Sequence, residues 1–270
     1  MMFQWQTLSV VRRNRDVYLK NWKTSVIPPL MEPFVYFGAF GFGLGRFIQS
    51  INWNGHEVSY LWYISAGILA TTFYNVSFFE CLYATYVRMF YQKTFDAILN
   101  TRVEIQHIIR GEMLWASLKA AFKGMFVFLS LLLLQSLGYI KIYYKSIIII
   151  FFFAILTALI FSAAALIFTS MVPSIDHFNY PVFLFAIPLS FTSNTYFPID
   201  NIHWTLYYFA QVNPLYHLTE IIRYQLADGS FPPFFFNSIL VLSLYGCILI
   251  PVAERKMTRR ILGEIPGERA

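Results

Sequence analysis

Charge is scarce in this sequence. Only 13% of its 270 residues are Asp, Glu, Lys or Arg, roughly half the share of a soluble domain. At the same time 57% are apolar, and the mean hydropathy is +0.55. This excludes a sizeable soluble domain and leaves an integral membrane protein with room for about five to seven spans. Cysteine is scarce too: Cys81 and Cys247 both fall in apolar segments, so neither a disulfide framework nor a zinc site is implied. No Gly-Lys-Ser/Thr phosphate loop occurs, so the chain is not expected to hydrolyse nucleotide alone. There is no Asp-x-Asp pair, and none of the five histidines has a neighbour at metal-ligand spacing. Residues 1–23 lack the apolar core of a signal peptide, so the first anchor is expected to be retained.

What is abundant is aromatic and apolar. Residues 3–22 set Phe3, Leu8, Val11, Tyr18 and Trp22 near one helical face and arginines around the other, the pattern of a helix lying in the headgroups. Spans are expected at about 26–48, 60–84, 112–138, 146–171, 180–197 and 234–253. Residues 46–59 read as a short polar loop. The first span opens with Pro28, Pro29 and Pro33, and Gly41 and Gly45 give it a small-xxx-small seam for close helix packing. Between the fifth and sixth spans, 202–212 and 214–227 are helical patterns too short to cross a bilayer, so a re-entrant pair is expected at about 200–228. A cytoplasmic N-terminus places fourteen of the twenty Lys and Arg inside. Four lie outside (Arg46, Lys141, Lys145, Arg223), and Lys119 and Lys123 fall within the third span. That asymmetry puts both termini inside the cell. The expected division is 1–24 interfacial helix, 25–254 six-span domain and 255–270 basic cytoplasmic tail.

The polar stretch 88–112 is the exception to the grease. Phe95, Ile98, Leu99, Arg102, Val103 and Gln106 recur at three- and four-residue spacing, which predicts an amphipathic helix over about 92–106. Periodicity alone leaves open whether it serves a partner or only connects two spans. Lys119 and Lys123 share one helix face and either reach an anionic headgroup or snorkel to the surface. Glu220 and Arg223, three apart, are placed to pair across a turn. Asp176 reads as a cap or turn residue. Tyr36, Phe37, Phe40 and Tyr196 offer aromatic faces to a sugar or an acyl chain.

Phe40-Gly41-Phe42-Gly43-Leu44-Gly45, Phe79-Glu80-Cys81-Leu82-Tyr83-Ala84, Lys93-Thr94-Phe95-Asp96-Ala97-Ile98-Leu99 and Gly111-Glu112-Met113-Leu114-Trp115-Ala116 follow one another in the chain. Val172-Pro173-Ser174-Ile175-Asp176, Phe197-Pro198-Ile199-Asp200 and Pro214-Leu215-Tyr216-His217 complete the series. In this order they resemble the membrane subunit of a type-2 ABC exporter, and more closely the NodJ-type permease of nodulation-factor (lipochitooligosaccharide) exporters. The resemblance covers nearly the whole chain. It implies an all-α permease with an interfacial N-terminal helix, six spans and a re-entrant pair, working as a homodimer over two separate ATPase subunits. Those ATPases would bind ATP and Mg, and no cofactor is implied in this chain. The helix carrying Phe95, Asp96, Ala97, Ile98 and Arg102 is then similar to the coupling helix, and Gly41 and Gly45 with the fifth span would meet the second copy. The implied cargo is a lipid-linked saccharide or another amphipathic molecule, not nucleic acid. A drug or polyketide exporter, and an intramembrane glycolipid transferase, are the competing functions.

Overall fold

The computed structural model describes residues 4–48, 50–199 and 204–263. Helix α1 (Trp5–Lys20) turns at Asn21 into α2 (Trp22–Tyr36). A π-helical stretch, Phe37–Gly43, and a 3-10 turn, Leu44–Arg46, continue α2. The widened turns coincide with the run of glycines, which adopt off-register backbone readily. Helix α3 (Tyr60–Phe79) is likewise extended by π turns at Glu80–Ala84 and Val87–Tyr91. Then come α4 (Thr94–Leu99), α5 (Ile105–Ser136) and α6 (Ile147–Met171). Helices α7 (Asn179–Pro181) and α8 (Ile187–Phe191) flank a π stretch, Val182–Ala186. Helices α9 (Trp204–Val212), α10 (Pro214–Ala227) and α11 (Phe235–Ile261) follow. Among the described residues, three segments, Ile105–Ser136, Tyr144–Met171 and Phe235–Ile261, are long and apolar enough to cross a membrane.

Helix α3 is the axis of the fold. It packs against α5, α6 and α10. Tyr63, Ile64, Leu69, Phe73 and Tyr74 are wholly buried along it, which explains why it is apolar on every face. The approach of neighbours depends on small residues. A side chain at Gly67 would press on the Thr195 backbone, with its carbonyl oxygen only 2.6 Å from the added carbon. Gly111 does the same for α1 on α5, where Val10 occupies the space a side chain would need.

Several expectations change in the folded chain. The loop at 46–59 contains a β-hairpin, so the protein is not purely α. Strands β1 (Ser50–Trp53) and β2 (His56–Ser59) pair antiparallel around Asn54 (φ 51°) and Gly55 (φ 81°), the left-handed pair that a two-residue turn requires. Trp53 packs on Trp62 and Tyr224, and Asn54 donates to the Tyr224 hydroxyl at 2.6 Å, fastening the hairpin to α10. The helix expected over 92–106 is confined to α4. Lys93 at φ 52° separates it from α3, and Asn100–Glu104 is non-helical, with Thr101 turning back onto the Ile98 carbonyl at 2.6 Å. The buried face of α1 is Thr7, Val10, Val11 and Asn14, while Leu8 and Trp22 are exposed. The segment expected at 180–197 loses helical form after Phe191. The basic stretch after 254 is not a free tail as far as Ile261, because α11 runs through it. Residues 264–270 of that tail, Phe3, and residues 200–203 of the expected re-entrant pair lie outside the described residues.

Replacing Gly67 with Ala is expected to lower stability by about 1–3 kcal/mol, because backbone rather than a flexible side chain must yield. Thermal unfolding in detergent measures this, and an unchanged midpoint would show that the α3–Thr195 approach is not tight.

Candidate functional site

The polar groups of this greasy chain converge at one end of α3. Glu80, in the first π turn after α3, receives Arg88 Nη1 at 3.0 Å, Lys119 Nζ at 2.5 Å and Trp115 Nε1 at 3.1 Å. Glu112 of α5 receives the other Arg88 nitrogen at 2.5 Å, the Thr85 hydroxyl at 3.0 Å and the Asn14 amide at 2.9 Å. Both carboxylates are almost completely buried. A buried charge persists only when paired and hydrogen-bonded, and here two acids meet two cations, Arg88 and Lys119. The π turns have a part in this, because they carry both Glu80 and Arg88 and aim them at α5.

The cluster does not end there. Asn14 accepts from Arg13 at 3.0 Å, and Arg13 donates to the Thr94 hydroxyl at 3.2 Å. Thr94 is the first residue of α4, so a polar chain runs from that short helix through α1 to α5 and α3. Burial holds the Arg13 guanidinium below its ordinary value, and the Glu112 carboxylate pulls it the other way. Phe95 is buried and anchors α4, while Asp96, Ala97 and Arg102 face outward. A groove of about 470 Å³ lies between the two helices, lined by Ser9, Arg13, Thr94, Ala97 and Ile98 among others.

A second cavity, of about 420 Å³, adjoins the cluster. Glu32, Tyr36, Asn75, Tyr83, Lys119 and Lys123 line it. Lys123 meets Glu32 at 3.7 Å, a loose pair at the rim. Tyr36 stacks on Phe40, and Phe40 lies 5.8 Å from the Tyr196 ring, so three of the four aromatic residues singled out above form one run. Phe37 does not join them; it points into the core and is 3% exposed. Lys119 and Lys123 each have a carboxylate within 4 Å, Glu80 for the first and Glu32 for the second. Gly41 packs against Leu61 of the same chain, and Gly45 lies beside Tyr60. Gly41 is therefore closely covered by its own chain, while Gly45 makes only ordinary contact.

Glu220 and Arg223 do pair, deep in the core, away from the cluster. Arg223 also donates to the Asn194 carbonyl at 2.8 Å and lies 3.9 Å from the Tyr63 ring centre, while Asn194 donates to Glu220 at 2.8 Å. This knot fixes α10 against α3 and the segment after α8. Asp176 sits in a short 3-10 turn, where its carbonyl receives Asn179.

The order of these parts along the chain can be compared with known proteins. The model of the ABC-2 type transporter family matches residues 5–227. The chain belongs to the ABC-2 type transporter family. This transporter is similar to Nodulation protein J of Rhizobium meliloti (strain 1021), 32% identical over 219 residues, covering 81% of this chain and 80% of that protein. It is similar at 32% over 216 residues to Nodulation protein J of Rhizobium leguminosarum bv. trifolii, covering 80% and 79%. Against Nodulation protein J of Azorhizobium caulinodans, the identity is 24% over 254 residues, covering 94% and 96%.

Sequence reasoning singled out the lysines of the transporter's cluster and missed their partners. Glu32 and Glu80 lie within apolar segments, and an ionisable residue there is itself a functional signal. Arg13, Asn14 and Thr94 carry no comparable mark, because only the fold brings α1 to α4. Removing Arg88 with Ala is expected to destabilise by about 3–5 kcal/mol, since it strands buried carboxylate charge. Arg88→Met combined with Glu112→Leu should recover most of that loss, because Glu80 keeps Lys119 and Trp115. Thermal unfolding of the two single variants and the pair decides it; a mild Arg88→Ala effect, equal to that of exposed Arg15→Ala, would contradict the cluster.

Proposed function

We propose that this chain is the membrane subunit of an ATP-driven exporter in the bacterial inner membrane. In this reading the segments from α2 to α11 make six spans, with α9 and α10 as a re-entrant pair. Both termini and α4 face the cytoplasm. Two copies of the chain stand over two copies of a separate ATPase, which binds ATP and Mg. The cargo is a lipid-linked saccharide or a similarly amphipathic molecule taken from the cytoplasm or the inner leaflet. Family membership and the similarity to nodulation proteins J support export; the distribution of charge supports the orientation.

The observation that carries the reading is the polar chain from Thr94 to Glu80. A short helix that is anchored by Phe95, exposes Asp96 and Ala97, is followed by exposed Arg102 in the next turn, and is hydrogen-bonded to α1 suits a surface that receives force from outside the membrane. The groove between α1 and α4 gives a partner side chain a place to enter. On the far side of the cluster, the cavity bounded by Glu32, Lys123 and the Tyr36–Phe40–Tyr196 run is where cargo would first meet the protein. Its carboxylates and lysines balance in charge, which suits a neutral, hydroxyl-rich head at least as well as an anionic one.

Replacing Phe95 to Leu99 with Gly-Ser, or Asp96 with Ala, is expected to abolish cargo-stimulated ATPase activity while the chain remains folded. The test is co-purification of an ATPase with the tagged chain in mild detergent, followed by its activity with and without the replacement. A chain that purifies alone, or an ATPase indifferent to the replacement, would contradict the proposal.

A further inference from the structure

The base of α11 carries a feature that the exporter reading does not use. Phe236, Leu240, Leu244 and Ile248 form one stripe, four residues apart and 85%, 62%, 53% and 52% exposed. Only 11% of the apolar stretch of this helix is buried, so the stripe faces lipid. Continued at three- and four-residue spacing, it passes through Pro251 to Arg255 and Arg259. The two guanidiniums therefore stand on the lipid-facing side, at the level where apolar side chains give way to charge. Both are exposed, and among the described residues neither has a carboxylate partner.

The acid next to Arg255 in sequence is already taken. Glu254 is held by Arg110 through two parallel bonds, at 2.6 and 2.9 Å. Beside it opens a cleft of about 450 Å³, bounded by Gln106, Pro251, Glu254, Arg255, Thr258 and Arg259. With the carboxylate neutralised, the cleft presents two guanidiniums that have no carboxylate partner among the described residues, together with the neutral hydrogen-bonding groups of Gln106 and Thr258. Guanidinium pairs match phosphate oxygens in charge and shape. We propose that this cleft binds the phosphate of an anionic glycerophospholipid, whose acyl chains lie along the Phe236–Ile248 stripe. The stripe favours a lipid over a free phosphate, because only a lipid gains from both halves of the site. The proposal rests on the membrane embedding of α11, and on neither the cargo nor the ATPase.

The test offers the purified full chain phosphatidylglycerol and phosphatidylcholine in equal amounts and reads retained lipid by native mass spectrometry. Phosphatidylglycerol should be preferred. The half-saturating concentration should rise about fivefold in Arg255→Gln or Arg259→Gln and about thirtyfold in the pair. Lys20→Gln with Lys23→Gln removes two exposed cations elsewhere on the chain and should leave the preference intact. Undiminished retention in the arginine pair would overturn the site, as would an equal loss in the lysine pair, which would mark diffuse attraction. Displacement of phosphatidylglycerol by millimolar inorganic phosphate would reassign the cleft to the free anion and overturn the lipid assignment. If the double variant does not fold, the two single variants decide the question.

Discussion

The ion pairing of Arg88 with Glu80 and Glu112 is the constraint on which the packing at the Glu80 end of α3 depends. It joins the extension of α3 to α5 across a nearly solvent-free contact. Neither acid is tolerable there without its cation. Because each partner comes from a different stretch of chain, the cluster forms only when α1, α3 and α5 are in register. The same requirement makes it a stiff joint. Lys119 and Trp115 hold the second side of Glu80, Asn14 holds the second side of Glu112, and α1 is thereby drawn onto α5 over Gly111.

Stiffness of this kind has a use in a transporter. Under the proposed coupling role, a push on α4 would pass to Arg13 through Thr94 and reach the cluster through Asn14. The breaks on either side of α4 are also identifiable. Lys93 lies in left-handed backbone before α4, and the non-helical Asn100–Glu104 stretch follows it. Helix α4 is thus set off from both of its chain neighbours by breaks in the backbone, while hydrogen bonding ties it sideways to α1. At the opposite end of α3, the Glu220–Arg223–Asn194 knot and the Trp53–Trp62–Tyr224 contacts secure α10 and the hairpin. Charged pairs therefore brace both ends of the central helix, and the cavity lined by Glu32, Tyr36 and Lys123 lies near the first of them.

Much of the helical layout was legible because long apolar runs have few other stable solutions in a membrane. The starts and ends of α6 and α10 fell within a residue or two of expectation. The hairpin carried a readable mark, Asn54-Gly55, that was passed over in favour of a polar loop. The shortness of α4 was not readable, since Lys93 has no residue-level signature of left-handed backbone and the apolar spacing continues past the break. At the site, Lys119 and Lys123 were found by their position in a span, whereas Glu80 stood in a quoted motif without its charge being weighed. The Lys119–Glu80 contact joins residues 39 apart in sequence and Asn14–Glu112 residues 98 apart. Pairings over such separations are properties of the fold. Gly41 was recognised as a packing residue; that its partner is Leu61 of the same chain required the structure.

The central claim is that α4, α1 and the α3–α5 joint move as one body. Spin labels at exposed Ala97 and Leu118, with Cys247 replaced by Ser and buried Cys81 left in place, measure it by pulsed dipolar spectroscopy in the assembled exporter. The account predicts that the Ala97–Leu118 distance within a protomer stays constant between the nucleotide-free and ATP-trapped states, while the Ala97–Ala97 distance between protomers changes. A changed distance within the protomer, with no change between protomers, would contradict it.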